Sequence, residues 1–208
     1  MKCKSKQITT IIFDLGNVII DFDHTRAFRK LVKYSPFTVN EMRARISGAL
    51  FIKAYEKGRI SDKAFFERFK NKLKLKISRV KFEKIWSNIF SKNKQMENLV
   101  KNVKKSGYRV AILSDTNPLH DRREVSKFPI REISHRYFTS FALKARKAEG
   151  PKVFKIVLKK LKVNPTKVLF IDDLPRNVVF ARKAGIKSIL FKGLGQLRKA
   201  FNREGLKL

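Results

Sequence analysis

Apolar residues along the chain follow two alternating patterns. Short runs rich in β-branched residues occur at Ile8–Phe13, Arg109–Leu113, Tyr137–Phe141, Lys167–Ile171 and Lys187–Phe191, each of strand length and bounded by polar or turn-forming residues. Between them, apolar positions recur at intervals of three and four. Met96, Leu99, Val100 and Val103 line one face of a segment from Asn93 to Ser106, and Gly107 then offers the left-handed stop that ends a helix. Val153, Ile156, Val157 and Leu161 repeat the spacing over Lys152–Leu161, and Pro175–Ala184 stops at Gly185 in the same manner. Strands alternating with amphipathic helices predict an α/β fold of three layers, a parallel sheet with crossover helices on both faces.

The interval from Asp23 to Lys92 breaks this alternation. It shows no strong strand signal and several helical stretches, such as "SDKAFFERFKNKL", where Ser61 is placed to cap a helix carrying Phe65, Phe66, Phe69 and Leu73 on one side. Seventy residues are too many for a loop. The expected organisation is therefore a core of residues 1–22 and 93–208, with 23–92 inserted as a small all-helical unit. Trp86 and the phenylalanines of that unit fall at helical spacing and are expected in its core.

Charge changes the picture next. Fifty Lys and Arg against seventeen Asp and Glu leave a formal net charge of +33, a field that attracts phosphate-rich partners. The excess is spread along the chain: residues 24–92 alone carry 19 basic and 5 acidic residues. There is no basic tail and no repeat interleaving cations with aromatics. That distribution fits a general compositional bias better than a nucleic-acid groove, so nucleic acid is kept as a possible partner but not favoured. Cys3 stands alone in a lysine-rich tip and suggests no disulfide. No run reaches the roughly 18 apolar residues of a membrane span, and the N-terminal apolar run is cut short by Asp14. The expectation is a cytoplasmic protein, monomer or homodimer, without a membrane partner.

Chemistry concentrates where strands end. In an open parallel sheet the carboxyl ends of the strands form the ligand crevice. Asp14 follows the first strand; Ser114, Asp115, Thr116 and Asn117 follow the second; Asp172 and Asp173 follow the fourth. Lys147 and Lys152 precede a crossover helix. A carboxylate nucleophile, a hydroxyl, an ammonium and paired carboxylates suit phosphoryl transfer, in which a hard cation such as Mg²⁺ and fixed donors surround the phosphoryl oxygens. The three histidines, His24, His120 and His135, show no ligand spacing.

These strand-end motifs, "IIFDLGNVIIDFD", "VAILSDTN", a lysine in "ARKAEGPKVF" and "VLFIDDLPRNVVFARKAGIKSILF", resemble those of the haloacid dehalogenase-like superfamily of hydrolases over nearly the whole chain. "DLGNV" is similar to the glucose-1-phosphate phosphatase-like subgroup, whose members carry a helical cap after the first motif. A response-regulator receiver uses related chemistry but places its acidic pair after the first strand, which the order here excludes. The resemblance implies a Rossmann-like core, with Asp14 as nucleophile, Ser114 holding the transferring phosphoryl group and Lys147 paired with both. It also implies Asp115, Thr116 and Asn117 at the substrate, and Mg²⁺ held by Asp14, the Gly16 main-chain carbonyl, Asp172 and Asp173. Lys147 fits the lysine position better than Lys152 by its preceding arginine.

One departure matters. Most phosphatases of the superfamily place a second aspartate, an acid and base, two residues after the nucleophile, and here that residue is Gly16. Asp23, or Asp21, is a candidate substitute. The expected function is a Mg²⁺-dependent phosphatase of small phosphorylated metabolites acting through an aspartyl-phosphate. The alternatives are a dehalogenase-type hydrolase using the same aspartate, whose halide leaves without a proton, and a non-catalytic polyanion-binding relative.

Overall fold

The computed structural model describes residues 8–206, so Cys3 lies outside the described residues. Five strands form one parallel sheet in the order β5 (Arg136–Thr139), β4 (Arg109–Ser114), β1 (Thr10–Phe13), β6 (Val168–Asp172) and β7 (Lys187–Leu190). The central strand reads Thr-Ile-Ile-Phe and is buried throughout, as required of a strand with neighbours on both sides and helices on both faces. Its side chains divide by the two-residue period. Ile11 and Phe13 join Val110, Ile112, Leu169 and Ile171 in one cluster, whereas Ile12 joins Ala111, Leu113, Val168 and Phe170 in the other.

Two further strands, β2 (Ile20–Phe22) and β3 (Phe90–Lys92), pair antiparallel at the two ends of the inserted segment, and β3 makes the last three residues of the expected all-helical 23–92 a strand. Neither has a signal in the sequence, since a three-residue ribbon such as Phe-Ser-Lys carries no period. Between them lie α1 (His24–Leu31), α2 (Val39–Ile46), α3 (Leu50–Glu56), α4 (Asp62–Leu73) and α5 (Arg79–Ser87). Four of the five starts are written in the sequence: Asp23, Thr38, Ser61 and Ser78 each accept a hydrogen bond from a backbone N–H of the first turn, whereas α3 follows Ala49 without a side-chain cap. Phe65, Phe66, Phe69, Leu73, Phe82 and Trp86 bury together in a cluster of their own.

The helices of the sheet unit are α6 (Lys94–Lys105), α7 (Pro118–Arg123), α8 (Ile130–Ile133), α9 (Ser140–Leu143), α10 (Lys152–Leu161), α11 (Pro175–Lys183) and α12 (Leu194–Arg203). The three crossover helices read from the sequence are α6, α10 and α11. Gly107 and Gly185 follow α6 and α11 at φ of 87° and 82°, in the left-handed region where an L side chain is strained. Among the described residues no helix is long and apolar enough to cross a membrane.

Phe69 is fully buried and touches the rings of Phe51, Phe65, Phe82 and Trp86. Phe69→Ala is expected to lower unfolding free energy by about 3–5 kcal/mol, read from urea denaturation.

Candidate active site

Parallel strands bring their carboxyl ends to one edge, so the residue after each strand faces its counterpart on the next. Asp14 leaves β1 with its N–H bonded to the Ile171 carbonyl at 2.8 Å, and Asp172 ends β6. Between their side chains sits the Lys147 ammonium, 2.6 Å from Asp14 Oδ1 and 2.7 Å from Asp172 Oδ2. Lys147 is 1% exposed, a burial that an ammonium tolerates only when paired. Lys152 is exposed at the start of α10 and does not reach the carboxylates.

Asp172 is held on every side. Its carboxylate accepts from the Leu174 N–H at 2.9 Å and from Asn177 Nδ2 at 3.0 and 3.1 Å, besides Lys147. Asn177, one turn into α11, has no sequence signal of this role. Asp14 Oδ1 also accepts from the Leu15 N–H at 2.6 Å. Burial pushes the Asp14 carboxyl well above its ordinary range against the pull of Lys147, and the neighbouring Asp172 adds to the push. Burial alone would lower Lys147, but Asp14 and Asp172 reverse the sign and keep it protonated. Asp173 is raised by burial and by Asp172.

Oxygens of Asp14, Asp172 and Asp173 lie within 4.8 Å of one another. Three carboxylates and one ammonium leave an excess of negative charge that a divalent cation would offset. Asn177 Oδ1, buried and without a hydrogen-bond partner in the same cavity wall, is a further acceptor. The donor set therefore fits Mg²⁺, with hard oxygen ligands only.

The remaining expected residues line one cavity of about 490 Å³, together with Gly16, Asp14 and Asp173. Ser114, buried at the end of β4, has no hydrogen-bond partner for its hydroxyl among the described residues. Asp115 and Asn117 hold local structure at the rim. Asp115 Oδ1 accepts from the Lys147 N–H at 3.0 Å, which fixes the loop carrying the lysine, and Asn117 Oδ1 accepts from the His120 N–H at 2.9 Å as the cap of α7. Thr116 donates its N–H to Ser140 Oγ at 3.1 Å, and that hydroxyl also bonds the Glu56 carbonyl at 2.7 Å. Ser140, unmarked in the sequence, thus ties the second motif to α3.

The opposite wall comes from the inserted segment. Phe22, His24, Phe28, Tyr55, Glu56 and Trp86 all line the cavity. Trp86, expected as core, is both core and wall. His24 and His120, distant in sequence, bring their rings to 6.0 Å; His120 is buried in the wall, and His135 lies elsewhere, its Nδ1 accepting from the Val110 N–H at 3.1 Å.

Asp23 and Asp21 do not enter the cavity. Asp23 is exposed, caps α1 by accepting from the Thr25 N–H at 2.7 Å, and is lowered by that bonding. Asp21 is also exposed, 3.4 Å from Asn93 Nδ2. The substitution of either for the acid absent at Gly16 is thereby overturned: the α1 start orients Asp23 to its own backbone.

Comparison with known proteins places this geometry. A family model described as haloacid dehalogenase-like hydrolase matches residues 8–185. The D-ribitol-5-phosphate phosphatase of Bacteroides thetaiotaomicron is 23% identical over 188 residues, 87% of this chain and 90% of that protein. A HAD-family enzyme of the same organism, solved with magnesium and inorganic phosphate, superposes with a TM-score of 0.80 at 22% identity, covering 91% of this chain and 98% of that one. A dehalogenase superposes less well, with a TM-score of 0.65 at 17% identity over 90% of this chain and 86% of its own.

Glu56 offers a test of the wall. Burial, against the pull of Arg146 and with the push of Asp115 and Glu149, raises its carboxyl to about 7. Between pH 4.5, its ordinary value, and about 7 the folded state keeps a proton that the unfolded chain sheds. Stability therefore falls as pH rises through this window, by up to about 3 kcal/mol. Glu56→Gln is expected to remove that dependence, so that urea midpoints show the variant gaining on wild type from pH 5 to pH 8.

Proposed function

Since the chain belongs to the haloacid dehalogenase-like hydrolase family, we propose that it is a Mg²⁺-dependent phosphatase of small phosphorylated metabolites, working through an aspartyl-phosphate on Asp14. The carrying observation is the Lys147 ammonium bridging Asp14 and Asp172 beside Asp173. The inserted segment, residues 23–92, acts as a cap that closes the cavity over the strand ends.

In this reading Asp14, Asp172, Asp173 and the Gly16 carbonyl hold the cation, which supplies charge neutralisation for the phosphoryl oxygens. The Asp14 carboxylate attacks phosphorus, and the ester bond to the leaving alcohol breaks. Lys147 holds the nucleophile in place and balances the charge of the incoming phosphate, while the Ser114 hydroxyl and the Thr116 side chain donate to phosphoryl oxygens. Asp115 acts through the Lys147 loop. Water then displaces Asp14 from the acyl phosphate and releases inorganic phosphate.

Support for a phosphoester over a halogenated acid comes from the electrostatics. A halide needs neither a divalent cation nor three crowded carboxylates, whereas a phosphate dianion is poorly received by them unless a cation is present. A cavity of about 490 Å³ is the size of small-metabolite sites, and its aromatic wall suits the flat face of a sugar or polyol chain. The D-ribitol-5-phosphate phosphatase among the relatives points the same way.

The expected result is phosphate release from a panel of sugar, polyol and aryl phosphates that requires Mg²⁺ and stops with EDTA. Asp14→Asn should lower it by more than about 10⁴-fold. No release from any phosphoester, together with salt-sensitive RNA or DNA binding, would sink the reading.

A further inference from the structure

An alcohol leaves a phosphate monoester as an alkoxide unless a proton reaches the bridging oxygen, and a positioned acid contributes about 10²–10⁴-fold. Beside Asp14 that acid is missing, and its space is filled. A Cβ on Gly16 would lie 2.6 Å from Phe22 Cε1, because Asn17, at φ 54°, turns the chain back and accepts from the Phe22 N–H at 3.2 Å.

Arginines aside, the other titratable side chains of the cavity are engaged. Asp14 and Asp173 belong to the carboxylate cluster, and Lys147 bridges two of its members. Asp115 accepts from the Lys147 backbone. Glu56 pairs with Arg146 at 2.8 Å. Tyr55 donates to Asp62 at 2.7 Å. His120 has both ring nitrogens in use, Nδ1 with Asn117 and Nε2 with the Trp86 carbonyl, each at 3.1 Å, and burial pushes it down to about 3.

His24 differs from all of these. It lines the same cavity, half-buried, and neither ring nitrogen has a hydrogen-bond partner among the described residues. Only ring contacts hold it: it stacks on Trp86 with centroids 5.3 Å apart and meets Phe22 edge-on at 5.3 Å. The Phe22 ring that fills the space at Gly16 is therefore the ring against which the imidazole rests. Three groups face it. Asp23 from the start of α1 raises it, Arg43 from α2 lowers it, and the His120 ring from α7 lies 6.0 Å away, while burial is the largest influence and lowers it.

Resting on the phosphatase reading above, we propose that His24 is the general acid and base of this site. As Asp14 bonds to phosphorus and the ester P–O bond breaks, the imidazolium proton passes to the leaving oxygen, giving the neutral alcohol. In the second step the neutral imidazole takes a proton from water as the water oxygen bonds to phosphorus and the P–O bond to Asp14 breaks. Inorganic phosphate leaves, and the imidazolium and the Asp14 carboxylate are restored.

The test is leaving-group dependence. Nitrophenolate leaves without a proton, and kcat/KM reports steps only up to alcohol release. His24→Gln is expected to lower kcat/KM at least about 10²-fold on an alkyl phosphate and less than about tenfold on 4-nitrophenyl phosphate. In the wild type, kcat/KM on the alkyl ester should fall as pH rises, with a pKa below that of an ordinary histidine, and on the nitrophenyl ester it should not; this second measurement needs no variant to fold. Equal loss on both esters, no loss on either, or a Glu56→Gln variant that reproduces the selective loss would each overturn the assignment. Wild-type turnover of 4-nitrophenyl phosphate that Asp14→Asn abolishes keeps the phosphatase reading intact even then; release of phosphate from no ester of the panel sinks that reading instead.

Discussion

One buried ammonium holds the site together. Lys147 reaches two carboxylates at 2.6 and 2.7 Å from a loop that belongs to neither of their strands. Removing an ion from water costs several kcal/mol, and only close geometry with further hydrogen bonds offsets it. The surroundings supply both. Asp115 fixes the Lys147 backbone, and Asn177 with the Leu174 N–H completes Asp172. The parallel sheet makes this possible, since β1 and β6 are neighbours in register and deliver Asp14 and Asp172 side by side.

The same loop couples the two halves of the molecule. Arg146, next to the lysine, pairs with Glu56 at the end of α3, and Lys57 pairs with Glu149 at 2.9 Å. Gly58, at φ 58°, allows the approach: a Cβ there would lie 2.9 Å from the Phe141 carbonyl oxygen. The inserted helices thus rest on the segment that places the ammonium, and the cavity is walled by sheet-end polar groups on one side and by aromatic rings on the other. On the proposed phosphatase reading, that division separates the reacting phosphoryl group from the part of a substrate that is recognised.

Some of the site was legible and some was not. Asp14, Ser114 and Asp172 are each the first polar residue after an apolar run, with Asp173 next in line, so the strand signal and the chemical signal coincide. Lys147 was harder, because its loop precedes α10 and Lys152 was a second candidate; three-dimensional distance agrees with the favoured lysine. Asn177, Ser140 and Glu56 left no sequence signal, for each is an ordinary surface-type residue whose partner lies on another element. Asp23 misled for a related reason: a carboxylate near the first motif can turn toward a ligand or toward its own helix N–H groups, and here the helix is nearer.

By itself the sequence determined the alternation of strands and helices, the helical character of most of residues 23–92, most of the helix caps and the order of the strand-end acids. Those properties are local: periodicity, capping and the identity of the residue after a strand are all carried by near neighbours along the chain. Only the tertiary structure decided which lysine meets the carboxylates, that Phe22 lies over Gly16, and that His24 stands on Trp86 in the cavity wall with its nitrogens unengaged. These depend on packing between segments far apart in the chain, where a difference of a few ångströms separates a ligand from a cap.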